Sequence, residues 1–189
     1  MITHYATDTS TWLHWQPEYR FGVLLLIPPD PPLAAVDALR ERYAWSQSSI
    51  CPAHISLTLP LPRGLDEDDW QELSAIAAGI APFDVEYGPL HHYLPHPGVV
   101  LKIAPQDKLD ALREALEAAS CFAGAKPRRF PFSAHMTIAE MITVEQTHTI
   151  MAELAGEAPE GVFRCADVAY VVPDEAFRFT ERGRLRLGG

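Results

Sequence analysis

Two short stretches of this chain carry the same pattern, and together they limit what it can fold into. Ala53-His54-Ile55-Ser56-Leu57 and Ala134-His135-Met136-Thr137-Ile138 both read His-x-(Ser/Thr)-x, with apolar residues at the x positions. In a β-strand, side chains i and i+2 share a face. His54 and Ser56 are therefore expected on one side, with Ile55, Leu57 and Leu59 on the other. His135 and Thr137 likewise oppose Met136 and Ile138. Each strand buries an apolar face and presents an imidazole and a hydroxyl on the opposite one. Two residues of strand rise span about 6.6 Å, enough to straddle one phosphate group.

Each motif closes a similar run of elements. Tyr19 to Ile27 is nearly all apolar and is bounded by Pro28-Pro29, as expected of a central strand buried on both faces. Leu33, Val36, Leu39 and Tyr43 then recur at helical spacing, and a polar loop from Ser46 to Pro52 precedes the His54 strand. In the second run, Val99 to Ile103 is the strand and Leu109, Leu112, Leu116 and Ala119 mark the helix. Lys126-Pro127-Arg128-Arg129 leads into the His135 strand. This repeat of element order predicts a pseudo-two-fold axis that brings both His/hydroxyl pairs to one cleft. Between the runs, Asp66 opens a helix with Trp70, Leu73, Ile76 and Ile80 on its apolar stripe. Phe83, Val85 and Tyr87 alternate as a strand, and His91 to Gly98 reads as a turn-rich linker. Thr143 to Gln146 has the pattern of a capping box. Val162 to Val172 and Phe177 to Leu187 read as a closing antiparallel pair. Residues 1–18 form a polar extension that packs back through Trp12 and Trp15.

At 189 residues and 48% hydrophobic, the chain suits one bilobal domain over 19–189, with the duplication covering about 19–90 and 98–187. No apolar run has the length of a membrane span, and the start lacks the pattern of a secretory signal. Three cysteines without a C-x-x-C spacing suit a cytoplasmic protein with no structural metal cage. Cys51 lies three residues before His54, an odd spacing that in a strand puts the two on opposite faces and argues against a Cys/His nucleophile. His91, His92 and His96 lack the fixed spacing of a metal site. The net charge of −10 argues against an extended nucleic-acid surface. A small basic pocket remains open to it, so the expected partner is a small cyclic nucleotide or one RNA end. A monomer without a membrane role is expected.

Histidine is the side chain whose ordinary pKa lies near neutrality. Two of them across one substrate can divide the work, a neutral one taking a proton and a protonated one giving a proton to the leaving oxygen. Ser56 and Thr137 would donate to non-bridging phosphate oxygens, and Arg128 or Arg129 would add charge in a geometry that suits phosphate. Tyr93, Phe132, His91 and His92 are candidates for a wall on which a base stacks. Neither a metal nor a cofactor is required by this chemistry.

The two motifs, their separation and the context Pro131-Phe132-Ser133-Ala134-His135-Met136-Thr137-Ile138-Ala139 resemble the 2H phosphoesterase superfamily, within it the 2′-5′ RNA ligase-like group. The resemblance implies an α+β fold: two pseudo-symmetric lobes, each an antiparallel β-sheet with helices packed on the outer face, around a central cleft. It implies that His54 and His135 are the acid/base pair and that Ser56 and Thr137 bind phosphate. Members of the group open 2′,3′-cyclic phosphates, cleave related cyclic nucleotides or join RNA ends through 2′-5′ linkages. Two positions depart from the pattern. Ala134 stands where proline is frequent, and Glu140 stands where the ligase-like members often carry arginine. With the negative charge, Glu140 favours a metal-independent cyclic phosphodiesterase. The alternatives are a 2′-5′ RNA ligase and a protein that binds a nucleotide or RNA end without turning it over.

Overall fold

A computed structural model describes residues 4–92 and 96–188, with residues 45–48 described by their backbone alone. Its elements in chain order are β1 (Val23–Leu26), α1 (Pro32–Ser48), β2 (Ile55–Ser56), α2 (Glu67–Ala78), β3 (Phe83–His92), β4 (Gly98–Ala104), α3 (Gln106–Glu117), β5 (His135–Glu140), α4 (Val144–Glu153), β6 (Gly161–Cys165), β7 (Asp167–Pro173) and β8 (Phe179–Arg186). The strands form one antiparallel sheet in the order β6-β3-β4-β5-β2-β1-β7-β8. The order reads as two four-stranded halves that meet where β2 pairs with β5. The run β1-α1-β2 lies in one half and β4-α3-β5 in the other. The two halves thus share one sheet, and the motif strands are its central pair.

One face of the sheet carries the main core. Leu24, Leu26, Ile55, Leu57, Leu101, Met136, Ile138, Val168 and Tyr170 are buried there, with Val36 of α1, Leu73 of α2, Leu109, Leu112 and Leu116 of α3 and Ile150 of α4 packed among them. This is the apolar side of the alternation in both motifs. α2 starts at a capping box between Asp66 and Asp69, and Arg63 holds the Asp69 carboxylate. α4 starts at the expected box between Thr143 and Gln146. Among the described residues no helix is long and apolar enough to cross a membrane.

Three elements differ from the sequence reading. α1 runs on through Ser48 after a non-helical Ala44, so helix occupies the first part of the expected 46–52 loop. β3 continues through His91 and His92, which are strand residues and not part of a linker. At Gly88-Pro89 a register shift lets Leu90 pair with Leu101 after Tyr87 has paired with Ile103. Gly88 holds φ +102°, and a Cβ there would meet the Glu160 side chain, so the bulge requires glycine. The stretch 162–172 is two strands divided at Ala166. β6 pairs with β3 at one edge, whereas β7 lies between β1 and β8 in the other half.

Trp12 and Trp15 pack edge-on against Phe177, with ring centroids 5.1 and 5.4 Å away, and the Trp12 indole N–H donates to the Glu175 carbonyl at 2.8 Å. The N-terminal segment is thereby tied to the β7–β8 turn.

Candidate active site

β2 and β5 pair antiparallel with Ile55 opposite Met136. That register sets His54 opposite Thr137 and Ser56 opposite His135. Ile55, Leu57, Met136 and Ile138 are fully buried in the core, so the other four side chains share the opposite face. Side chains directly opposite have Cβ atoms about 4.5–5.5 Å apart, and diagonal neighbours such as the two histidines lie about 7–8 Å apart. One phosphate group fits a patch of that size.

Each imidazole is fixed in the same way. The Nδ1 of His54 lies 2.7 Å from the Pro52 carbonyl oxygen, and the Nδ1 of His135 lies 2.7 Å from that of Ser133. A carbonyl only accepts, so Nδ1 carries the proton in both rings. Nε2 is then the nitrogen that holds the lone pair when a ring is neutral. Repetition of the same i−2 bond on both strands follows from the repeated local sequence. It orients both rings from their own backbone.

The backbone leading into each histidine is held by a helix side chain. The Ala53 N–H donates to Asp37 Oδ1 of α1 at 2.7 Å, and the Ala134 N–H donates to Gln106 Oε1 of α3 at 3.0 Å. Arg40, on α1 and only 4% exposed, donates to the Thr137 carbonyl at 3.0 Å and to the Cys51 carbonyl at 2.8 Å. Its Nε lies 3.5 Å from Asp37. β2 is two residues long, and where it has ended Arg40 supplies the donor that bridges the His54 approach and the His135 strand.

This setting acts on His54. The ring is half-buried, and its desolvation lowers its pKa to about 4, with the Arg40 guanidinium and His135 acting in the same direction against the Pro52 bond. His54 is thus neutral at pH 7. Cys51 does not obey the strand alternation expected of it, because β2 begins only at Ile55. It is buried with Val23, Leu25, Ala169 and Val171 on the same face as the histidines. Burial pushes its thiol up to about 12, which leaves it protonated and a poor nucleophile.

The remaining expected site residues fall differently. Arg128 donates to the Leu57 carbonyl at 2.7 Å and pairs with Glu117, and its guanidinium lies 5.1 Å from the Phe132 ring. Arg113 covers the same ring at 5.3 Å, so Phe132 is held among cations beside α3. Arg129 is exposed and lies over Phe130. Tyr93 lies outside the described residues. His91 faces the histidine side of the sheet through its register with Val100, whereas His92 contacts His148 of α4 at 5.6 Å. Among the described residues no group of three or more His, Cys, Asp or Glu is arranged to hold a metal ion. One residue that the sequence reading missed joins the patch. Lys102 of β4 pairs with His135 and is exposed on the same face. Its signal was a single charge in the apolar run Val99 to Ile103.

The sequence model described as the 2′-5′ RNA ligase superfamily matches residues 28–176. No curated protein matches the chain. Among solved structures it is similar to Escherichia coli LigT complexed with 3′-AMP, at 16% identity and TM-score 0.54, covering 88% of this chain and 97% of that one. TT0787 of Thermus thermophilus gives 16% identity and TM-score 0.56 over 88% and 97%. E. coli LigT complexed with ATP gives 14% and 0.54 over the same shares. At these identities the structures show a common fold.

Proposed function

The chain belongs to the 2′-5′ RNA ligase superfamily, and from that premise we propose that it opens 2′,3′-cyclic phosphates, of RNA ends or of small cyclic nucleotides, by metal-independent two-histidine catalysis. The observation that carries this reading is the register of β2 and β5, which sets His54, Ser56, His135 and Thr137 on one face with both Nδ1 atoms tied to backbone carbonyls. In the proposed reaction His54, held neutral by its surroundings, takes a proton from water through Nε2. The water oxygen forms a new bond to phosphorus. The bond from phosphorus to one ribose oxygen breaks, and protonated His135 gives that oxygen its proton. The product is a ribose monophosphate with one free hydroxyl, and each histidine ends in the protonation state opposite to its starting one. Ser56 and Thr137 stabilise the charge that develops on the non-bridging oxygens.

The nucleotides named with LigT, 3′-AMP and ATP, support a nucleotide-sized ligand. Glu140 and the net charge of −10 favour a small substrate over a long RNA. The test offers the purified protein 2′,3′-cyclic AMP and an oligonucleotide with a 2′,3′-cyclic end, and identifies the products. Conversion to a monoester is expected. Joining of RNA ends instead would move the reading to 2′-5′ ligation, and binding without turnover of either would overturn catalysis.

A further inference from the structure

We propose that Lys102 is the cation that receives the substrate's phosphate. The proposal rests on the phosphodiesterase reading for the identity of the ligand and on separate geometry for the residue. Lys102 and His135 are direct partners across β4 and β5, so their Cβ atoms lie about 4.5–5.5 Å apart on the face that carries Ser56 and Thr137. A flexible four-carbon stem is long enough to carry the ammonium across that patch from its edge. Lys102 has no hydrogen-bond or ion-pair partner among the described residues. His91, on the same face of the sheet, has its pKa lowered first by desolvation and then by the Lys102 ammonium.

Three other cations of this region are committed elsewhere. Arg128 is bound to Glu117 and the Leu57 carbonyl, and Lys126 to Glu18. Arg40 lies in the protein, engaged by the Thr137 and Cys51 carbonyls. Arg129 is exposed and lies over Phe130, so on this proposal Lys102 takes the role that the sequence reading offered to Arg128.

The two halves of the sheet also differ in what flanks the patch. On the β1 side, Leu25 pairs with Ser56, and the register sets Ile27 beside His54. That surface is covered by Tyr19, Ile50 and Phe179 packed on Val23, Leu25 and Val171. On the β4 side, the equivalent neighbours of His135 and Thr137 are Lys102 and Val100, with exposed His91 beyond. The apolar cover closes the first side, which leaves the β4 and β3 side, where Lys102 stands, as the open approach to the patch.

The test compares wild type, Lys102→Met and Lys102→Arg in two assays: hydrolysis of 2′,3′-cyclic AMP, and titration with inorganic phosphate followed by NMR shifts. Loss of one charge-assisted contact corresponds to a roughly 10–100-fold fall in kcat/KM and a weakening of phosphate binding in the same range. Lys102→Arg retains most of both, because the positive charge is kept. Equal kcat/KM and equal phosphate affinity in wild type and Lys102→Met would overturn the proposal, as would a wild type that binds no phosphate and hydrolyses nothing. A wild type that binds phosphate through Lys102 without hydrolysing the cyclic nucleotide would overturn the phosphodiesterase reading and leave the cation's role standing.

Discussion

Replacing Arg40 by methionine removes a buried cation while keeping much of its packing volume. The bonds to the Thr137 and Cys51 carbonyls are lost at once, together with the charge that faces Asp37. Breaking a buried ion pair by removing one partner costs about 3–5 kcal/mol. Asp37 is 34% exposed and keeps the Ala53 N–H, so the expected loss lies near the lower limit, about 3 kcal/mol. Urea denaturation of wild type and variant measures it. The same change acts on His54. Arg40 contributes to the depressed pKa, though less than desolvation does, so its removal raises that pKa without restoring the ordinary value. A general base works deprotonated, so kcat/KM rises with pH as His54 loses its proton. The acid limb of the kcat/KM profile, expected near pH 4 in wild type, moves upward in Arg40→Met. A variant within about 1 kcal/mol of wild type, with an unmoved acid limb, would refute the bracing role given to Arg40.

Two further expectations follow from packing and linkage. His54 has a folded-state pKa of about 4 against an ordinary 6.5, so below pH 6.5 the unfolded chain binds a proton that the folded one does not. Stability contributed by the neutral ring is full above pH 6.5 and is lost as the pH falls towards 4. The partly hydrated ring limits this to roughly 2 kcal/mol at about 1.4 kcal/mol per pH unit. The difference in denaturation free energy between wild type and His54→Gln, followed from about pH 7 to 4, reads it, and a difference that does not change with pH would contradict it. Phe177 is 5% exposed and touches Trp12, Trp15, Tyr19 and Phe179. Phe177→Ala is expected to cost about 3–5 kcal/mol and to shift tryptophan fluorescence in the native state, and an unchanged native spectrum would show that the N-terminal segment is held otherwise.

The facing of the four motif side chains in the candidate site was legible because strand alternation is a local code. It put His54 with Ser56 and His135 with Thr137, opposite Ile55 and Met136, and the burial of the latter two agrees. The bracing of these strands was not legible. β2 is two residues long and relies on Asp37 and Arg40 from α1, and nothing in the sequence announces those contacts. The ion pair of Arg128 with Glu117 was not legible either, because Glu117 lies on a helix across a loop. Lys102 belongs to no sequence motif, and only the register sets it beside His135. His91 and His92 read as linker, but pairing of Leu90 with Leu101 beyond the register shift carried the strand on through them. Cys165-Ala166-Asp167 contains no breaker, yet the chain passes there from one half of the sheet to the other.

The most direct measurement is hydrolysis of 2′,3′-cyclic AMP in EDTA by wild type, His54→Ala and His135→Ala. Turnover by the wild type that ignores the chelator and falls by about 10²–10⁴ in each variant is the expected result. Full activity in either variant, or activity abolished by the chelator, would contradict catalysis by the two facing histidines.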